Sequence, residues 1–184
     1  MLQSINPNSW DVQGLILAPT RELAVQITAE LKKLAAHTTI KIVTIYGGQS
    51  INVQFDALDR GVHIIVGTPG RIMDHLKRGS LDLGRVKFVV LDEADTMLDM
   101  GFIDDIEFIL DSVPEPRQMG LFSATMPRRI MDIAHKYMHN PEKILVSADE
   151  PTVDTLENSS LCLTTAKSSI CYSTSWLRRS PRAR

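Results

Sequence analysis

The chain has 184 residues, of which 43% are hydrophobic and 23% charged, and its formal net charge is -2. This composition permits a buried core and argues against wholesale disorder, a membrane-spanning segment and a strongly basic nucleic-acid-binding arm. The two cysteines, Cys162 and Cys171, are too few for a disulfide framework or a cysteine-rich zinc module. Because no signal-peptide pattern opens the sequence, we expect a globular cytoplasmic domain without membrane contact.

Short apolar runs rich in β-branched residues alternate with amphipathic segments as far as residue 146. The runs predict strands at 14–18, 40–46, 62–67, 86–91, 119–122 and 143–146. Apolar residues spaced by three and four predict helices at 22–37, 50–58 and 71–77, and around 102–113 and 126–137. This alternation predicts an α/β fold in which a parallel sheet carries helices on both faces.

The composition changes near residue 157. From there to residue 184 the chain has five basic residues, one acidic residue and ten serines or threonines, with no clear helical or strand period. We therefore divide the chain into a domain over 1–156 and a tail over 157–184. A disordered extension is the favoured interpretation of the tail, a segment of shifted reading frame is the second, and a basic RNA-binding tail is the least favoured.

Polar clusters follow five of the predicted strands. They are Pro19-Thr20-Arg21, Gly47-Gly48, Thr68-Pro69-Gly70-Arg71, Asp92-Glu93-Ala94-Asp95 and Ser123-Ala124-Thr125. Parallel strands end at one edge of their sheet, and open α/β sheets bind their ligands there. The clusters are therefore expected to meet at a single ligand-binding edge.

Each cluster has a chemical and a purely structural interpretation. Asp92 could hold magnesium beside a nucleotide phosphate while Glu93 polarises an attacking water, or both could be the acidic start of a helix. Thr20 and Thr68 could cap helices, or the helix starts could bind phosphate with Arg21 and Arg71 as donors. The glycine pair could form only a tight turn, and the serine and threonine after the fifth strand could be ordinary hydroxyls. Considered separately, none of these clusters establishes a function.

Considered together, the clusters resemble the motifs of the DEAD-box RNA helicases. The matching segments are PTRELA at 19–24, GG at 47–48, TPGR at 68–71, DEAD at 92–95 and SAT at 123–125, in the order of that family. The likeness extends from about Trp10 to about Asp154. It implies a RecA-like fold and an ATP-dependent helicase that uses magnesium and binds single-stranded or duplex RNA through the RNA backbone.

The resemblance also implies a role for each matching residue. Asp92 would hold magnesium, through water, and Glu93 would activate the water that attacks the γ-phosphate of ATP. Asp95 would contact Ser123 and Thr125 and so couple the nucleotide state to strand separation. The residues along the RNA backbone would be Pro19, Thr20, Arg21, Gly47, Gly48, Thr68, Gly70 and Arg71.

Two features of the family are not found in these 184 residues. The Gly-x-x-x-x-Gly-Lys-Ser/Thr phosphate loop does not occur in the sequence, and neither does a second RecA-like domain. We therefore expect a fragment of a helicase, with a sheet incomplete at its N-terminus, that does not hydrolyse ATP by itself. A non-enzymatic module that binds RNA or protein remains the alternative, and a DNA translocase is a less favoured third interpretation.

Overall fold

A computed structural model describes residues 1–144, 158–165 and 168–175, and the chain divides into one compact unit over 1–141 and another over 142–184. The strands of the first unit are β1 (Gly14–Leu17), β2 (Ile42–Ile45), β3 (Ile64–Gly67), β4 (Phe88–Leu91) and β5 (Gln118–Leu121). Its α-helices are α1 (Arg21–Leu34), α2 (Ile51–Asp59), α3 (Pro69–Lys77), α4 (Ala94–Asp99), α5 (Ile103–Asp111) and α6 (Arg128–Tyr137). A short 3-10 helix at Leu2–Ser4 precedes them.

The five strands form one parallel sheet in the order β2-β3-β1-β4-β5. All four residues of the central strand β1 are buried, as expected for a strand covered on both faces. Leu15 and Leu17 belong to a core that includes residues of α3 to α6, whereas Ile16 belongs to a second core with Ala24 of α1. The predicted α/β fold, a parallel sheet with helices on both faces, is confirmed.

Strand β5 forms an edge of this sheet. Among the described residues it pairs only with β4. Three large apolar side chains of the following segment are exposed: Phe122 by 59%, Met126 by 40% and Met131 by 42%. The segment that follows this edge strand therefore exposes apolar surface.

The helices and strands differ from the prediction in three places. Helix α1 ends at Leu34 and not at residue 37. The spacing of the leucines predicts that Leu34 is buried, but it is 73% exposed. The helix predicted around 102–113 is α5, and a second helix that was not predicted, α4, precedes it. Gly101, which takes a left-handed conformation with φ +81, separates the two helices. The strand predicted at 143–146 is wrong where it is described: Lys143 and Ile144 have no regular structure, and Ile144 is 78% exposed and pairs with none of the described strands.

The second unit contains two antiparallel strands, β6 (Asn158–Thr165) and β7 (Ser168–Ser175). The sequence predicted no regular structure here, although threonine and isoleucine favour strands and a two-residue connection suits a hairpin. The division at residue 156 and the nature of the tail stay predictions. Across the part of the chain that the structure describes, no helix is both long and apolar enough to cross a membrane.

Candidate active site and nucleic-acid interface

The carboxyl ends of the parallel strands form one level row. In the order of the sheet, the last paired residues are Ile45, Gly67, Leu17, Leu91 and Leu121. Neighbouring strands lie about 4.8 Å apart, so the row is roughly 20 Å long. Every predicted polar cluster begins within two residues of this row, and the structure therefore places all five clusters along one edge.

The row separates the predicted site residues into two groups, one after strands β1 to β3 and the other after β4 and β5. The ends of β2, β3 and β1 carry Pro19, Thr20, Arg21, Gly47, Gly48, Thr68, Gly70 and Arg71, which we call the basic half. The ends of β4 and β5 carry Asp92, Glu93, Asp95, Ser123 and Thr125, which we call the acidic half. The border between the halves runs between β1 and β4.

Backbone hydrogen bonds hold the first residues after the strands. The amide of Ala18 donates to the Gly67 carbonyl at 3.0 Å, and the amide of Thr68 donates to the Ile45 carbonyl at 3.0 Å. On the other side of β1, the amide of Asp92 donates to Leu17 at 2.9 Å. The clusters therefore start from backbone that the sheet fixes.

Glu93 has an unusual backbone conformation in the acidic half. Its φ of 48° and ψ of 54° lie in the left-handed region, which costs an ordinary residue about 1–2 kcal/mol. It occupies the N-cap of α4, yet its side chain makes no capping hydrogen bond and is exposed. Capping therefore does not explain this glutamate, and a strained conformation of this kind indicates a functional position.

The Asp92 carboxylate is accessible at the end of β4. Its side chain is partly exposed, and Oδ1 accepts a hydrogen bond from the Glu93 amide at 3.1 Å. Within the described residues no group of three or more histidines, cysteines or acids could enclose a metal. One accessible carboxylate fits magnesium, which keeps several waters and is usually bound by one or two carboxylates together with phosphate oxygens.

Hydrogen bonds connect Asp95 to the segment that follows β5. Asp95 Oδ2 accepts from both the amide and the hydroxyl of Thr125, each at 2.8 Å. The Ser123 hydroxyl accepts from the Asp95 amide at 3.1 Å and donates to the Thr125 carbonyl at 2.6 Å. Desolvation acts to raise the pKa of Asp95, but the hydrogen bonds that its carboxylate accepts from Thr125 and from the Thr96 amide outweigh it and lower that pKa.

The two threonines at helix starts in the basic half differ. The hydroxyl of Thr20 accepts a hydrogen bond from the Leu23 amide at 3.3 Å, so the capping interpretation is confirmed for Thr20. Thr68 occupies the N-cap of α3 but makes no side-chain capping bond. Its partly exposed hydroxyl is therefore available to a ligand, as is the cation of Arg21, which lies 4.8 Å from the ring centre of Tyr46.

The glycine pair after β2 has two different explanations. Gly48 has φ +84, a conformation that favours glycine, and so it is required by the turn. Gly47 lies outside the left-handed region, and a Cβ atom built on it would meet nothing within 4 Å. The fold therefore does not require glycine at 47. A ligand backbone that approached this exposed turn closely would require it, because a side chain would be in the way.

The sequence analysis did not single out Gln54 and His75, which lie behind the basic half. Gln54 is 2% exposed and His75 is fully buried. Gln54 Oε1 accepts from Arg71 Nη1 at 3.2 Å and lies 2.9 Å from His75 Nε2. Both residues are polar interruptions of an apolar helix stripe, Gln54 three residues after Ile51 and His75 three after Ile72, and this signal could have revealed them.

Comparisons with known proteins agree with this geometry. A family model described as DEAD/DEAH box helicase matches residues 1–133. The chain is 52% identical over 157 residues to "DEAD-box ATP-dependent RNA helicase CshA" from Bacillus cereus, covering 85% of the chain and 30% of that protein. A protein of the same description from Geobacillus kaustophilus is also 52% identical, with 34% of its length covered.

A solved structure is also similar. The crystal structure of a DEAD box protein from Methanococcus jannaschii matches with a TM-score of 0.72 and 48% identity, over 76% of this chain and 38% of that one. The chain thus spans about a third of the length of the relatives that it matches.

Proposed function

Since the chain belongs to the DEAD/DEAH box helicase family, we propose that it forms part of the first RecA-like domain of an ATP-dependent RNA helicase. Such an enzyme couples ATP binding and hydrolysis to the separation of RNA strands. The observation that carries the proposal is the row of strand ends, on which every family motif of this chain lies, divided into a basic and an acidic half. Cytoplasmic localisation and a second RecA-like domain as partner remain predictions.

The acidic half is the proposed site of ATP hydrolysis. Bound ATP and magnesium supply the phosphoryl group and the charge that neutralises it. Asp92 would hold the cation through water, and Glu93 would orient the attacking water and accept its proton. The accessible Asp92 carboxylate and the strained, exposed Glu93 support these roles.

Asp95, Ser123 and Thr125 are the proposed coupling residues. Their mutual hydrogen bonds join the strand end that carries Asp92 and Glu93 to the end of β5. A shift of the acidic cluster that accompanies nucleotide binding is then passed to the neighbouring strand end. Removing the hydroxyls of Ser123 and Thr125 would uncouple strand separation from the nucleotide state and would affect ATP hydrolysis less.

The basic half is the proposed track for the RNA backbone. Arg21 and Arg71 provide cations, and the open turn at Gly47 and the free hydroxyl of Thr68 allow close approach. Contacts with phosphate and sugar carry no sequence information, so affinity should depend little on base sequence. A near-neutral net charge is compatible with this role, because only one edge of the domain faces the phosphates.

The 184 residues by themselves are proposed not to hydrolyse ATP. Phosphoryl transfer depends on positioning and charge neutralisation, and a phosphate loop contributes a lysine and several backbone amides to both. The sequence contains no Gly-x-x-x-x-Gly-Lys-Ser/Thr segment. The same observation favours the alternative function, a module that binds RNA or protein without catalysis.

Two assays on the purified chain test the proposal. Fluorescence anisotropy with several unrelated single-stranded RNAs should show that Arg71→Ala weakens binding to all of them alike, with a smaller salt dependence. A loss confined to one sequence would contradict backbone binding. Phosphate release with RNA and magnesium should stay at background, and turnover that vanishes in Glu93→Gln would show that the chain hydrolyses ATP without the loop.

A further inference from the structure

Gln54 is a buried amide whose hydrogen-bonding capacity is completely used. Its Nε2 donates to the Tyr46 carbonyl at 3.0 Å and to Gln49 Oε1 at 3.1 Å, which lie on either side of the Gly47–Gly48 turn. Its Oε1 faces Arg71 and His75. One side chain therefore contacts the turn, the arginine and the buried histidine at the same time.

The orientation of this amide follows from its partners. A guanidinium has only donors, so the atom that faces Arg71 must be the amide oxygen. His75 Nε2 approaches that same oxygen and must carry a proton. In the neutral ring Nδ1 is an acceptor, so the one Ser80 hydroxyl hydrogen is donated to it, 2.9 Å away, rather than to the His75 carbonyl, 3.1 Å away. Burial lowers the pKa of His75, and the nearby charge of Arg71 lowers it further, which agrees with a neutral ring.

The network fixes one side of the Arg71 guanidinium and leaves the other side available. Both hydrogens of Nη1 are used, on the Gln49 carbonyl at 3.1 Å and on Gln54 Oε1 at 3.2 Å. In the described part of the chain, Nε and Nη2 of Arg71 meet no hydrogen-bond acceptor. Those two nitrogens form the edge that binds two oxygens of a phosphate in parallel.

We propose that Gln54 and His75 are positioning residues, which hold the Arg71 guanidinium and the Gly47–Gly48 turn in one arrangement for a phosphate of the RNA backbone. This inference rests on the RNA-binding role proposed above. Gln54 acts by hydrogen-bonding both elements, and His75 acts by fixing the amide orientation of Gln54. Neither residue contacts the RNA.

The test uses the whole 184-residue chain and a fluorescein-labelled, unstructured ten-nucleotide RNA at fixed salt. Arg71→Ala and Gln54→Met should each weaken binding about tenfold, the size expected for a charged hydrogen bond. The double variant should bind more weakly than Arg71→Ala by clearly less than tenfold, because Gln54 acts partly through Arg71 and partly through the turn. Multiplying losses would overturn the proposal. Gln26→Met, the same change on the exposed surface of α1, is the matched control and should bind as the parent does.

A second measurement needs no RNA. Hydrogen exchange of the backbone amides at 47–49 should be faster in Gln54→Met, and equal rates in variant and parent would overturn the positioning role. If Gln54→Met does not fold, Gln54→Glu replaces it, since that variant keeps the oxygen facing Arg71 and loses the donor to Tyr46. His75→Gln retains an N–H donor and should bind RNA within about twofold of the parent. His75→Leu has no such donor and should bind more weakly than that.

These measurements separate the two proposals. If the parent chain binds no RNA, or if Arg71→Ala binds as well as the parent, the proposed RNA-binding role fails. The exchange rates at 47–49 then still decide whether Gln54 holds the turn. If Arg71→Ala weakens binding and Gln54→Met does not, the RNA-binding role stands and the positioning inference fails.

Discussion

Replacing Gly67 by alanine should destabilise the domain strongly, because the last residue of β3 has no room for a side chain. A Cβ atom there would lie far inside van der Waals contact with the backbone carbonyl oxygen of Ile45 and 2.9 Å from Cδ1 of Ile72. The Ile72 side chain can rotate away, whereas the Ile45 carbonyl belongs to the neighbouring strand β2. Strands β2 and β3 must therefore separate at their carboxyl ends.

The size of the effect follows from two contributions. Overpacking a close-packed interior costs about 1–3 kcal/mol. The same carbonyl accepts the Thr68 amide at 3.0 Å, and loss of this bond beside a fully buried residue costs about 1–3 kcal/mol more. We expect the free energy of unfolding to fall by about 2–6 kcal/mol, which is a large share of the roughly 5–15 kcal/mol that stabilises an ordinary domain.

Urea unfolding followed by far-ultraviolet circular dichroism measures this loss, and two variants control it. Gly47→Ala introduces the same methyl group at the same edge without neighbours within 4 Å, so its stability should match or slightly exceed that of the parent. Adding Ile72→Val to Gly67→Ala removes Cδ1, the nearest side-chain atom, and leaves the Ile45 carbonyl, so stability should not return. A Gly67→Ala protein within about 0.5 kcal/mol of the parent, or one rescued by Ile72→Val, would refute the reasoning.

Three further predictions concern the site. Glu93→Asn should raise the free energy of unfolding by up to about 1 kcal/mol in urea titrations, because asparagine tolerates the left-handed backbone, and an unchanged value would show that Glu93 is not strained. The lowered pKa of Asp95 means that its carboxylate stabilises the fold above about pH 3.9 and that this contribution disappears as the pH falls through the folded-state pKa. Asp95→Asn should therefore melt with a weaker pH dependence below pH 4 than the parent, and parallel melting curves would contradict this. The lowered pKa of His75 means that its neutral ring supports the fold fully above about pH 6.5 and progressively less below it. His75→Gln should flatten the melting temperature between pH 7 and 5, and an unchanged slope would exclude His75 as its source.

The sequence predicted the sheet and the members of the site because both depend on local patterns. Continuous apolar runs such as Leu15–Leu17 predict buried strands, and the polar clusters stand directly after them. The division of the edge into halves could not be predicted from spacing, because it depends on strand order. Asp92 lies beside β1 in space although β2 and β3 come between them in the sequence.

Gln54 and His75 show a second limit of the sequence analysis. A glutamine on a helix is usually solvated, and although its place in an apolar stripe hints at burial, its partners Arg71, Tyr46 and Gln49 are known only from the tertiary contacts. The left-handed Glu93 is similar, since glutamate has no local preference for that conformation. The strand predicted at 143–146 illustrates the opposite error, because a short apolar run forms a strand only where it finds a sheet neighbour.

Strand β5 affects how this protein must be handled. In the described part of the chain it pairs on one side only, and an edge strand of that kind is a template on which another extended chain can add. The exposed side chains of Phe122 and Met126, which follow the strand, add apolar surface for such pairing. Self-association through β5 would rise with protein concentration and would be insensitive to salt, in contrast to RNA binding. Sedimentation at several loading concentrations should therefore precede any titration of the chain, and a charged replacement at Phe122 offers a way to keep the molecules apart.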